Sequence, residues 1–223
     1  YYSVQLLDED IRAELAATTR VGIHRYTYPA GKQRRLVIDL DHSANKGSWG
    51  RTIIQSQLRQ TGLRTIEGFR VITGWAKLRK VYFTAEFSED ISDLCLSDGG
   101  IIRDGATLIN GRSLKAAVDF GCTDRPVIVK VALSGVSLPN TRLNMAAEAP
   151  HFDFDKYVAQ GRENWNKVLG IIEAEGPDEK LRTFYTALYH TMLQPNTFSD
   201  VNGQYMTPAY SVGQLPAGST QYS

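Results

Sequence analysis

The stretch Leu181-Arg-Thr-Phe-Tyr-Thr-Ala-Leu-Tyr-His-Thr-Met-Leu-Gln-Pro-Asn-Thr-Phe-Ser-Asp200 decides the fold, because it is a helical pattern in a chain whose first half reads as strands. Leu181, Phe184, Tyr185, Leu188 and Met192 recur at three- and four-residue steps, the spacing of a buried helix stripe. Pro195 lacks a backbone donor and biases Gln194 away from helix, so the pattern breaks there. Asn196, Thr197, Ser199 and Asp200 follow on a polar loop held by a rigid element, where binding groups collect and where simple turns are also common. A single amphipathic helix cannot cover its own apolar face. The stretch therefore predicts a partner for that face, supplied by another chain or by further residues of a longer protein.

Outward from this helix toward the N-terminus, the period changes. Residues 1–137 show short β-rich runs between turn residues, the pattern of an antiparallel sandwich rather than of βαβ units. Tyr2-Ser-Val-Gln-Leu, Ile11-Arg-Ala-Glu-Leu-Ala and Val21-Gly-Ile-His-Arg-Tyr-Thr-Tyr alternate apolar with polar residues, as strands with one buried face do. Further strands are expected at 35–40, 52–58, 65–75, 80–87, 114–120 and 126–133, with a loop at 41–50 and a glycine-rich loop or hairpin at 98–107. At Ser137-Leu-Pro-Asn-Thr-Arg-Leu-Asn the strands give way to a short helix that Asn140 or Thr141 can cap. A longer helix is expected over residues 154–175, closed by Gly176-Pro177. The Gly-, Pro-, Ser- and Tyr-rich tail from Asn202 onward reads as irregular.

Composition narrows the class of partner. The 223 residues are 42% hydrophobic, enough for a core, and carry 25 basic against 24 acidic side chains, a net charge of +1. That balance gives no field for phosphate or anionic lipid, so neither nucleic acid nor a membrane is expected as a partner. No apolar run approaches the ~20 residues of a spanning helix, and the start at Tyr1 lacks a signal core. The absence of an initiator Met leads us to expect a processed or excised piece. Cys95 and Cys122 permit a disulfide without demanding one; the alternative is two buried small hydrophobes.

Candidate chemistry is sparse. His24, His42, His151 and His190 have no two-ligand spacing for zinc. His24 fits a satisfied sheet histidine, His42 lies on the long loop, and His190 stands at a helix C-terminus near Asn196 and Asp200. Asp153 and Asp155 suit a helix N-cap and first-turn charge. Asp200-Val-Asn-Gly203 resembles the start of a calcium loop but lacks the later carboxylates, so a turn is expected. Trp49, Trp75 and Trp165 can stack on sugars or pack in a core, with Trp49 the best placed for a ligand and Trp165 expected in the core. The residues alone supply binding groups without a reaction.

Longer motifs add a resemblance. Glu163-Asn-Trp-Asn-Lys-Val-Leu-Gly, Phe184-Tyr-Thr-Ala-Leu-Tyr-His-Thr-Met-Leu and Pro195-Asn-Thr-Phe-Ser-Asp-Val-Asn-Gly-Gln-Tyr, with Val81-Tyr-Phe-Thr-Ala-Glu-Phe-Ser, resemble glycoside hydrolase family 92, the calcium-dependent exo-acting α-mannosidases. The resemblance implies a mainly β fold with C-terminal helices: an antiparallel β-sandwich over residues 1–138, incomplete at its start, a helical connector over 139–176, and the first helix of an (α/α)6 barrel over 177–223. It implies inverting hydrolysis of terminal mannose, of the α-1,2 type, from mannan or N-glycans, outside the cytoplasm in the periplasm or extracellular space. The partners implied are a mannose-containing glycan and the remainder of the chain's own barrel. Asp200 matches a family aspartate expected to hydrogen-bond mannose hydroxyls, and Asn196 and His190 sit in the same motif. The catalytic acid and base, and most calcium ligands, are expected beyond Ser223. The alternative is a non-catalytic carbohydrate-binding or interaction module built on the sandwich.

Overall fold

The structure, a computed structural model, describes residues 1–42, 52–74 and 76–223. Twelve strands precede the first helix: β1 (Tyr2–Leu6), β2 (Ile11–Ala17), β3 (Val21–Thr27), β4 (Arg35–Asp39), β5 (Thr52–Gly62), β6 (Thr65–Thr73), β7 (Arg79–Phe87), β8 (Asp93–Asp98), β9 (Ile101–Arg103), β10 (Leu108–Gly111), β11 (Leu114–Asp119) and β12 (Val127–Ser134). They form an eight-stranded sheet in the order β1-β2-β3-β12-β7-β6-β5-β10 and a four-stranded sheet in the order β4-β11-β8-β9. Adjacent strands pair antiparallel, as the alternating patterns required.

The large sheet is covered on both faces, which the reading of one-sided strands did not anticipate. On β12, Val127, Val129 and Val131 face the small sheet, packing with Phe83, Phe87, Leu96, Val118 and Phe120. Ile128 and Ala132 face the other way, where Val21 and Ile23 meet Met145, Phe154 and Tyr157 of the helices. The period of two sends alternate residues of one strand into two cores, so a dense apolar run marks a strand buried on both sides. The result is a three-layer arrangement of sheet, sheet and helices. Gly68 on β6 marks the tightest approach: a Cβ there would meet the Gln57 carbonyl oxygen and the Phe83 ring.

Helix α1 (Leu138–Glu148) lies across the large sheet, α2 (Phe154–Leu169) follows, and α3 (Asp178–Thr191) comes last. Ser137, rather than Asn140 or Thr141, caps α1: its side chain accepts from the Asn140 amide, and Pro139 sits in the first turn. Asp153 caps α2 as the sequence indicates, accepting from the Lys156 amide. The long helix ends at Leu169, with Gly170 as its C-cap, so Ile171 and Ile172 lie beyond it and stand exposed. Two strands, β8 and β10, were not foreseen, and the tail is not irregular throughout, because β13 (Gln204–Met206) pairs with β14 (Val212–Gln214) as a short hairpin. Gly99 and Gly100, both with positive φ, make the turn between β8 and β9. Among the described residues no helix is long and apolar enough to cross a membrane.

Candidate functional site

Helix α3 ends at Thr191, before Pro195 is reached, with Met192 as its C-cap; the Gln194–Pro195 peptide is cis. No α3 residue is buried, and Phe184 and Tyr189 are each 37% exposed. The apolar stripe is therefore present but only partly covered, its main contacts being the tilted Trp165–Tyr189 ring pair at 4.7 Å and a Tyr185 hydroxyl bond to the Ile172 carbonyl at 3.1 Å. Beyond α3 the chain closes on its own tail. Asn196 and Ser223 exchange backbone bonds of 3.1 and 3.0 Å, and the Phe198 amide donates to the Gln221 carbonyl at 2.7 Å. A tight turn follows, in which the Gly203 amide donates to the Asp200 carbonyl at 2.9 Å and Gly203 takes a φ of 78°.

The three residues expected to touch sugar differ in burial. His190 is exposed in the last turn of α3, where a histidine suits the negative end of the helix dipole. Asn196 is exposed at the surface. Asp200 is instead 5% exposed and turned into the junction of β12 and α1. Its Oδ2 accepts from Ser134 Oγ at 2.6 Å and Asn140 Nδ2 at 2.7 Å, and its Oδ1 accepts from Asn144 Nδ2 at 2.7 Å. Sequence reasoning missed Ser134, Asn140 and Asn144. The available signal was a pair of asparagines four apart on one face of α1, an arrangement that buries two amides together and so demands polar partners.

A second knot lies beside the first. Glu148 accepts from the Thr18 hydroxyl and the Arg20 amide at 2.7 Å each and pairs with the Arg20 guanidinium, while Arg20 Nε donates to the Ser199 carbonyl at 2.7 Å. The β2–β3 turn, the end of α1 and the tail are thereby joined.

The remaining buried carboxylates are also fully engaged. Arg25 grips Glu14 with bonds of 2.7 and 2.9 Å, Tyr1 adds a third, and the carboxyl is held down at about 2, with the Arg25 hydrogen bond as the main cause. The Arg142 fork, at 2.5 and 2.6 Å, likewise lowers Glu67. Asp119 accepts from Gln33 at 2.7 Å and from Arg35 at 2.9 Å. A general acid needs the reverse, a carboxyl raised toward neutrality. Glu14 and Glu67 are built as structural anions.

Other candidates settle individually. His24 bonds the Tyr26 hydroxyl at 2.9 Å, and burial lowers its pKa, so it is a satisfied sheet histidine. His151 stacks on Tyr157 with ring centroids 4.5 Å apart and accepts from the Asp153 amide. His42 bonds Asp39 through its backbone amide and accepts from Arg70 through its carbonyl. Trp165 is 38% exposed rather than in the core, because α2 presents it to the uncovered α3 side. Trp49 and Trp75 lie outside the described residues. Neither cysteine is a buried hydrophobe: both are free thiols, Cys95 half-buried on β8 and Cys122 exposed with its Sγ 3.1 Å from Gln33 Oε1. A cavity of about 450 Å³ opens between β4 and the large sheet, walled by Leu36, Ile38, Val81, Phe83 and Val131. Its lining is mainly apolar, with His24, Tyr26, Asp39, His42 and Arg70 also reaching it. Among the described residues no three His, Cys, Asp or Glu side chains converge to hold an ion, and the Asp200 oxygens face N–H and O–H donors, so the Asp200 carboxylate does not fit calcium.

An antiparallel sandwich is fastened through buried polar knots to a following helical segment, a two-part architecture that by itself names no reaction. Residues 1–134 match the glycosyl hydrolase family 92 N-terminal domain, and residues 140–223 match the family 92 catalytic domain. The chain belongs to glycosyl hydrolase family 92. Among solved structures it is similar to the family GH92 alpha-mannosidase BT3965 from Bacteroides thetaiotaomicron, at 30% identity and a TM-score of 0.91 over 99% of this chain and 30% of that one. The complex of BT3965 with mannoimidazole matches at 30% identity and a TM-score of 0.90, over 99% of this chain and 29% of that one. The family GH92 inverting mannosidase BT2199 from Bacteroides thetaiotaomicron matches at 26% identity and 0.84, over 100% of this chain and 29% of that one. The chain thus spans under a third of the length of these structures. A comparison with curated proteins gives no match.

Proposed function

We propose that this chain serves an exo-acting α-mannosidase that removes terminal mannose from mannan or N-glycans, with preference for α-1,2 linkages and with inversion at the anomeric carbon. The observation that carries the reading is the 30% identity to BT3965 over 99% of the chain, at a TM-score of 0.91. Two further similarities support it: BT3965 is seen with mannoimidazole, and BT2199 is described as inverting. The match of residues 140–223 to the catalytic domain weighs against a non-catalytic sandwich module.

Inversion requires one carboxyl to protonate the leaving oxygen and a second to activate water, roughly 6.5–9.5 Å apart. Glu14, Glu67, Asp119 and Asp200 are tied to arginine, amide or hydroxyl donors, so this reading assigns neither role to them. It gives the exposed side chains of Asn196 and His190 the part of hydrogen-bonding a mannose, with the sandwich as the platform that holds their segment. In the full-length protein, Asn196→Ala is expected to raise KM for an aryl α-mannoside about 5- to 10-fold, the worth of one hydrogen bond to a sugar hydroxyl. Steady-state kinetics check this, and an unchanged KM removes Asn196 from the sugar site.

A further inference from the structure

Every donor around Asp200 is itself oriented by a second bond. Ser134 Oγ accepts from the Val136 amide at 2.9 Å and the Ser137 amide at 3.3 Å, leaving its proton for Asp200. Asn144 Oδ1 accepts from the Val201 amide at 3.0 Å and Nδ2 also donates to the Leu133 carbonyl at 2.9 Å, which sets the amide's direction. Asn140 Nδ2 also reaches Gln204 Oε1 at 2.9 Å. Ser134, Asn140, Asn144 and Asp200 are all at most 5% exposed. The two partners on α1 and the one ending β12 thus converge on one carboxylate, and Val201 and Gln204 after it bond the two asparagines.

We infer that Asp200 is a positioning residue: its carboxylate clasps the 196–204 segment to the end of β12 and to α1, and it does so without touching the sugar. The expected family role as a mannose ligand is replaced by an internal one. Of the proposed function only the kinetic arm of the test below depends on it; the clasp itself is read from amide exchange.

The clasp needs an acceptor on both oxygens. In Asp200→Asn either placement of the new NH2 group puts two donors face to face, against Asn144 in one case and against Asn140 in the other. The exchange Asp200→Asn with Asn144→Asp repairs this. The amide at 200 then donates to the carboxylate at 144, whose second oxygen still accepts from the Val201 amide, while the Leu133 carbonyl trades its donor for a carboxylate oxygen, so the repair is partial. A mannose ligand would gain nothing from that swap.

The test uses the full-length protein and measures hydrogen exchange at the Val201 and Gly203 amides together with kcat/KM on an aryl α-mannoside. Asp200→Asn is expected to speed exchange at both amides at least about tenfold and to lower kcat/KM, and the double variant to slow exchange at least about threefold relative to Asp200→Asn and to regain part of kcat/KM. Ser134→Ala, which removes a single donor, is expected to speed exchange less and serves if Asp200→Asn does not fold. Parental exchange in Asp200→Asn with lowered kcat/KM overturns the inference in favour of a sugar contact. Exchange in the double variant no slower than in Asp200→Asn, or parental exchange in Ser134→Ala, overturns the clasp. If exchange behaves as expected while no variant or parent shows mannosidase turnover, the clasp stands and the proposed function falls.

Discussion

Glu14 shows how much a single residue is asked to do. It is 3% exposed, bound by Arg25, Arg12 and Tyr1, and held at about 2 against an ordinary value of 4.5. A carboxyl whose folded pKa is depressed stabilises the fold above its unfolded value, and that contribution is lost as pH falls from 4.5 toward about 2. Urea unfolding of the parent is therefore expected to weaken across that window, and Glu14→Gln to flatten the acid limb while lowering stability at pH 7. At Gly68 a Cβ has nowhere to go, so Gly68→Ala is expected to cost about 1–3 kcal/mol in the same assay. Legibility at this scale depended on distance along the chain. The Asp153 cap could be read because its partner is three residues on. The Asp200 clasp could not, because its partners lie 56 to 66 residues earlier and only folding brings them together.

Elements were legible where periodicity was long and uninterrupted. β3, β7 and β12 carry patterns that match their strands within a residue or so, since β-branched and aromatic runs suit a pleated surface. β10 was not, because Leu-Ile-Asn-Gly ends in turn residues and its strand exists through pairing with β5. Local caps decide the helices. Ser137→Ala removes the acceptor at the start of α1 and is expected to cost about 1 kcal/mol of stability. Strands and helices also differ in how firmly they belong to the core. Phe87→Ala, at a side chain 1% exposed, is expected to cost about 3–5 kcal/mol, whereas Phe184→Ala on the 37% exposed face of α3 should cost less than about 1 kcal/mol in the chain described here. Denaturant titration of the two variants compares them directly.

At the scale of the whole molecule, two sheets and a helical layer position a polar tail without supplying a reaction. The fold class was accessible from patterning, and the two cores follow from which strands alternate and which run solidly apolar. The proposed function came from motif resemblance, because the buried carboxylates carry structural bonds and His190, Asn196 and Asp200 differ in burial. The proposed α-mannosidase chemistry rests on family membership and on the likeness to BT3965 rather than on the local geometry. The most direct test of the α-mannosidase reading is proton NMR of the first product when the full-length protein acts on an α-1,2-linked mannobioside. Mannose released initially as the β-anomer is the predicted result; release of the α-anomer first, or no release of mannose at all, would contradict it.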